Sequence, residues 1–385
     1  MIPPVRRPSG TIVRIDASYD LVTGPRSQAS IVDRILTTIQ PLLQSGAHVT
    51  LLGSRGRPVV APRDSFQRIR SNNQLLQFEA LAQSLADALN STDRVTLEPM
   101  QTVQAPAYRI TKQICLLENL AFDPREAAND QVLARQLAAI GERYIIDDVR
   151  ALNDTTASIA SMPKSVPTRL SDLAKQELAI LDRISLSPEH PFVAVIGGNQ
   201  VSRKLKLIKR LTEVADELLI GGVVANTFLV ARGVDLQRSL IDRAEADAAK
   251  QLNGIVGSKL VLPTDFVWRA GRVMDIGPNT RARFTRSIAE AKTILFTGPV
   301  GVTSPQLEAF RYGTAAVVEA ITNQSDSLKV VLGDDTVSEW QLLERPIEFP
   351  TCLAGDAASI DYLSGTKLVG LEAIQRSRFA MEANR

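Results

Sequence analysis

Short apolar runs bounded by glycine or polar turns alternate along the chain with segments whose apolar residues recur every three to four positions. The runs TIVRID (11–16), HVTLLG (48–53), QICLLEN (113–119) and RYIIDD (143–148) read as strands of a first half, with helical spacing at 31–44, 73–89 and 130–141 between them. A second series follows: FVAVIGG (192–198), ELLIGG (217–222), KLVLP (259–263), TILFTG (293–298), KVVLGD (329–334) and a weaker FPTCLAG (349–355). Such alternation predicts an α/β fold in which each half is an open, doubly wound, Rossmann-like parallel sheet, with ligands at the carboxyl ends of the strands. Leu170, Leu173, Leu178 and Leu181 recur at helical spacing within 168–186, which predicts an interdomain helix with a hinge on either side. The expected organisation is an N-terminal domain at 1–167, the hinge helix at 168–186, a C-terminal domain at 187–363 and a short polar tail at 364–385 that packs back on the N-terminal domain.

Composition narrows the function classes. The chain has 385 residues, 44% of them apolar, enough for ordinary cores, and no run approaches the ~18 apolar residues of a membrane span. Lys and Arg number 44 against 42 Asp and Glu, so a net charge of +2 gives no support to a nucleic-acid or membrane-surface partner. The N-terminus, MIPPVRRPSG, has charges without an apolar core behind them, which predicts no secretory signal and a cytoplasmic protein, or an organellar one after processing. Cys115 and Cys352 sit in apolar stretches and read as buried thiols of a reducing compartment. His48 and His190 stand apart from any Ser, Cys or carboxylate cluster, which argues against histidine catalysis and a histidine metal site.

Chemistry concentrates in PFVAVIGGNQVSRKLKLIKRL, residues 191–211. A buried-type strand leads into Gly197 and Gly198, and Leu205, Ile208, Leu211 and Val214 then recur at helical spacing. Strand, glycine turn and helix start is the geometry that aims backbone N–H groups and the positive helix end at an anion. The turn resembles the GGAKVSDK of phosphoglycerate kinases. Further elements from Arg14 to about Ile374 resemble that family in order and spacing. RIDASYD is similar to RVDFNVP, GSRGRP to SHLGRP, and LLENLAFDPREAAND to LLENVRFYPGEEKND. GGVVANTF, DIGPNT, TGPVGV and GDDTV resemble GGGMAYTF, DIGPKT, NGPMGV and GGDSA.

The resemblance implies a two-domain kinase fold that closes about a hinge, with 3-phosphoglycerate on the first domain and Mg-ATP/ADP on the second. Phosphoryl transfer of this kind rests on positioning and on positive charge around the moving group. Family positions retained here are Asp16 and Arg57 on the triose side. On the nucleotide side they are Gly197, Gly198, Lys204, Gly298, Asp335 and Thr336, with Asp335 as the Mg²⁺ carboxylate if nucleotide binds. The departures are broader. Gln200 stands where the family has a lysine on the transferring phosphoryl group, and Ser30 or Ile31 where it has an arginine. Ser18, Ser54, Ala121, Asn153, Asp154, Thr156 and Thr168 replace other polar or cationic ligands of the triose site, while Arg34, Arg55, Arg150 and Arg169 are new cations near the same strand ends. Thr297, Ser304, Asp334 and Asp356 replace family residues around the nucleotide, and Gly355 is kept.

The resulting expectation is a catalytically inactive or very weak homologue, with weak or absent Mg-ATP binding. Its role would then be binding, structural or regulatory, with a protein partner that no motif names. The competing expectation is an active phosphotransferase between Mg-ATP/ADP and a carboxylate, either 3-phosphoglycerate in glycolysis or another acid.

Overall fold

The computed structural model describes residues 10–17, 28–60, 64–100, 102–103, 105–302, 310–333, 335–337, 340, 352–353 and 356–382. The chain divides into unit 1, Met1–Gln176 with Lys367–Arg385, and unit 2, Glu177–Thr366. The boundary falls inside the helix Asp172–Leu186. That helix starts later than the 168–186 pattern suggests, because Thr168–Leu170 is a strand.

Among the described residues, unit 1 is built on seven strands: β1 (Gly10–Arg14), β2 (His48–Leu52), β3 (Thr96–Met100), β4 (Ala105–Arg109), β5 (Ile114–Leu117), β6 (Arg143–Ile146) and β7 (Thr168–Leu170). Their order is β3-β4-β5-β2-β1-β6-β7. The five strands from β5 to β7 run parallel, whereas β3 and β4 join antiparallel, so the sheet is mixed and not purely parallel as the pattern suggested. The antiparallel edge escapes the pattern for a physical reason. Most of β3 is exposed, and Pro99 pairs with Pro106, so the run is neither apolar nor free of breaks. Val13, Ile35, Leu51, Phe78, Leu85 and Leu116 belong to the core that fixes β1 and β2 against the helices Gln28–Gln44 and Glu79–Ala88.

The tail is a helix, Val369–Glu382, that belongs to unit 1. It is less polar in effect than its composition suggests: Leu368, Ala373 and Ile374 are buried, and Ser377 Oγ donates to the Val166 carbonyl at 3.2 Å. Gly370 allows the close approach, since a Cβ there would lie 2.7 Å from Leu152 Cδ2.

Unit 2 is built on β8 (Phe192–Ile196), β9 (Glu217–Ile220), β10 (Leu260–Val261), β13 (Thr293–Thr297), β14 (Leu328–Leu332) and β15 (Cys352–Leu353), with β11 (Phe266–Arg269) and β12 (Arg272–Ile276) as a separate antiparallel hairpin. The order β10-β9-β8-β13-β14-β15 is parallel throughout. Both faces of β8 and β13 are buried, which is why their sequences are continuous apolar runs and show no alternation. Strand order reverses between β8 and β13, and the crevice outside their carboxyl ends is where a doubly wound sheet receives a ligand.

Candidate functional site

In unit 2 the glycine positions close the β8/β13 crevice. Gly197 donates to the Thr297 carbonyl at 2.9 Å and Gly198 to the Pro299 carbonyl at 2.8 Å. The loops touch so closely that a Cβ on Gly197 would lie 2.2 Å from Pro299 O, and one on Gly298 2.3 Å from Gly197 O. Gly198 and Gly298 also have φ of +79° and +90°, the left-handed region that side chains resist. Gln200 precedes the helix Val201–Leu211 as its N-cap residue and makes no side-chain cap bond. Lys204 is buried, and its Nζ donates to Thr297 Oγ1 at 2.5 Å and to the Thr297 carbonyl at 3.4 Å. Thr336 is buried and accepts from the Gly298 amide at 2.7 Å, while Asp335 beside it is exposed.

A cleft of about 220 Å³ opens over these loops, walled by Ala225, Phe266, Ile276 and Val300 and reaching Gly198, Asn199 and Asp335. Its narrow polar end continues past Gln200, Lys204, Gly298 and Thr336. Gly198, Gln200, Lys204, Gly298, Asp335 and Thr336 therefore stand around one crevice, and Gly197 holds the loops beneath it. Asp275 is a residue the sequence reading left without a role. Burial pushes its carboxyl up to about 6, against the pull of amide bonds from Gly313 and Ile276 and of the Arg281 charge. Those bonds, at 2.6 Å and 2.8 Å, brace the crevice wall. Ser18, Ser304, Asp334 and Gly355 lie outside the described residues.

In unit 1 the carboxyl ends of β1, β2, β5 and β6 gather Asp16, the turn Gly53–Arg57, Glu118–Asn119 and Asp147–Asp148. Asp16 is partly buried and Arg57 is exposed. Of the two alignments for the missing arginine, Ile31 sits in the hydrophobic core and Ser30 is partly buried. Thr168 is buried and bonds its own turn through the Val166 carbonyl at 2.8 Å.

Two of the new cations face acids. Arg34 Nε pairs with Asp147 Oδ2 at 2.8 Å, and its Nη2 donates to the Asp147 carbonyl at 2.7 Å. Arg169 is exposed and lies 3.9 Å from Asp172. Arg55 is buried with its backbone clasped by Asn119, which accepts from the Arg55 amide and donates to its carbonyl, both at 2.9 Å.

Sequence reasoning missed the buried group at the centre of this face. Arg14, 2% exposed, donates to Ser158 Oγ at 2.6 Å and pairs with Glu126 at 3.4 Å and Asp148 at 3.5 Å. Ser158 in turn donates its amide to Glu126 Oε2 at 3.0 Å. Burial, then the neighbouring Asp16 charge, pushes the Asp148 carboxyl up to about 7, with Arg14 pulling the other way. The doublet Asp147–Asp148 at a strand end was the available signal, since a parallel strand that ends in two acids needs cations beside it.

The chain thus combines a doubly wound α/β unit that carries a glycine-lined crevice at its switch point with a second open-sheet unit. The phosphoglycerate kinase family profile matches residues 10–366, and the chain belongs to that family. It is 32% identical over 392 residues to the phosphoglycerate kinase of Herpetosiphon aurantiacus, covering 94% of this chain and 95% of that one. Similarity to the Rubrobacter xylanophilus phosphoglycerate kinase is also 32%, over 385 residues and 94% of each chain. Among solved structures, the phosphoglycerate kinase of Coxiella burnetii superposes with a TM-score of 0.78 at 26% identity, covering 97% of both chains. The fold is shared too with the Pyrococcus horikoshii enzyme, at a TM-score of 0.77. Among the described residues, no helix is long and apolar enough to cross a membrane.

Proposed function

We propose that this chain is a phosphoglycerate-kinase-family protein that has lost the family's phosphoryl transfer, or keeps only a trace of it, and serves a binding or regulatory role through the unit 2 crevice. One observation carries the reading. On the strand-end face of unit 1, Arg14 and Arg34 are paired with Glu126, Asp148 and Asp147 while Ile31 is in the core, so these two arginines offer little net positive charge to a phosphorylated acid. A dianionic substrate needs charge-assisted bonds there, each worth roughly 1.5–3 kcal/mol.

The crevice, in contrast, fits a nucleotide. Apolar walls at Phe266, Ile276 and Val300 suit a flat ring, and the positive end of the Val201–Leu211 helix suits phosphates, the Gly197 and Gly198 amides being used between the loops. Lys204 supplies charge from beneath, and the exposed carboxylate of Asp335 suits a Mg²⁺ ion that keeps most of its waters. This favours retained nucleotide binding over the weak or absent binding expected from sequence. A neutral Gln200 can donate a hydrogen bond to a phosphoryl oxygen but supplies no charge to the transition state, a loss that typically costs ~10²–10³ in rate.

The test is a coupled turnover assay with Mg-ATP and 3-phosphoglycerate, run beside a competent phosphoglycerate kinase. The expected rate is at least ~10³-fold below that enzyme; a rate within tenfold of it would overturn the reading. Gln200→Lys is expected to recover less than about tenfold, because the unit 1 face is left unchanged. Recovery of a hundredfold or more would mean that the missing lysine alone had silenced the site.

A further inference from the structure

We infer that Arg203 is the phosphate-engaging cation of the unit 2 crevice, its guanidinium taking the terminal phosphate of a nucleoside polyphosphate in place of the Gln200 amide oxygen it now holds. The inference rests on the nucleotide reading of that crevice. Arg203 lies three residues beyond Gln200, about one helical turn, and helical side chains lean toward the N-terminus, so its head returns to the mouth of the turn. There Nη1 donates to Gln200 Oε1 at 3.1 Å, and Gln200 lines the narrow polar end of the cleft. On its other edge Nε meets Asp361 Oδ1 at 3.1 Å, with the Asp361 side chain mostly buried. The guanidinium is thereby fixed as a fork, and its Nη2 makes no hydrogen bond among the described residues.

The other cation at this end, Lys204, is buried beneath the turn and bonded to Thr297, so its charge acts on the crevice from below. Against the motif GGAKVSDK, the sequence GGNQVSRK moves the positive charge from the first of these positions to one three residues on. A phosphate oxygen arriving at Gln200 exchanges one acceptor of Arg203 for another, and the new one is charged, which makes the bond roughly twice as strong. With Gln200 displaced, Nη1 and Nη2 present two N–H groups on a planar fork that match two phosphate oxygens, a geometry an ammonium lacks. Gln200 and Lys204 line only the narrow end, while the wide end is walled mainly by apolar residues, so the effect of Arg203 grows with the number of phosphates the ligand carries.

Calorimetric titration of the full chain with adenosine, Mg-ADP and Mg-ATP tests this. The wild type is expected to bind more tightly as phosphates are added. Arg203→Gln is expected to weaken Mg-ATP by ~10–100-fold while leaving adenosine within about twofold. Equal Mg-ATP affinity in wild type and Arg203→Gln overturns the role of Arg203 and leaves the crevice reading standing. If the wild type binds none of the three ligands, the crevice reading fails and this inference with it. Should Arg203→Gln also lose adenosine, Arg203→Lys decides. Severalfold weaker Mg-ATP with unchanged adenosine supports the fork, and unchanged Mg-ATP overturns it.

Discussion

Glu118→Ala is expected to destabilise unit 1 by about 3–5 kcal/mol, the cost of leaving a buried network without its anion. Glu118 is fully buried, and each carboxylate oxygen accepts two bonds. Oε2 takes Arg70 Nε at 2.6 Å and the Tyr108 hydroxyl at 2.8 Å, and Oε1 takes the amides of Phe78 and Asn119, both at 2.9 Å. Burial and the Glu118 charge push the Tyr108 phenol up, so it stays a neutral donor to the carboxylate. Alanine would leave the Arg70 guanidinium, the Tyr108 hydroxyl and two amides without their common acceptor. Glu118→Gln keeps the shape and two acceptor lone pairs but replaces the other oxygen by a donor facing donors, so it should lose about half as much. Urea denaturation followed by far-UV circular dichroism measures both. A loss below about 1 kcal/mol for the alanine variant would show that solvent or neighbouring groups replace the carboxylate.

This network gives LLEN a structural role that does not depend on any substrate. Asn119 accepts from the Arg55 and Ala121 amides and donates to the Arg55 and Leu76 carbonyls, tying the turn after β2 to the end of β5. The motif is framework, and it can be kept for stability whether or not a substrate binds. The same distinction sets what could be read from sequence. β8 and β13 were legible because a strand buried on both faces is an apolar run, and Gly197 because only glycine allows the loop contact beneath the crevice. β3 and β7 were not, being a mostly exposed edge with a proline and a strand of three residues. The fate of the new arginines was also hidden: Arg34 reads as a surface cation until the fold brings Asp147 from 113 positions away. Arg203 and Asp361 meet across 158 positions, so periodicity within either helix says nothing of the pair.

The Arg14 group makes a pH prediction with a definite sign. Asp148 faces Arg14 and Asp16 from β1 and the residue pair beyond it, Asp154 across its own loop, and the Ala151 amide, which donates at 3.1 Å. Glu126 already shares Arg14, so a second full negative charge in this buried site is poorly compensated. Its carboxyl is therefore held up at about 7, above the ordinary aspartate range. A carboxyl whose folded value is raised binds its proton more tightly when folded, so the native state is favoured at low pH relative to high. The contribution is unchanged below about pH 4, where both states are protonated; it is lost progressively as pH rises toward 7 and gone above that. Asp148→Asn removes this slope while keeping an acceptor for the Ala151 amide. The difference in unfolding free energy between Asp148→Asn and wild type is expected to grow by about 2–4 kcal/mol in favour of the variant between pH 4.5 and pH 8. Taking the difference cancels Asp275, raised to about 6 in unit 2, which slopes the same way in both proteins. A difference that stays flat across that range would show that Asp148 is ionised throughout, with Arg14 pairing to it more strongly than to Glu126.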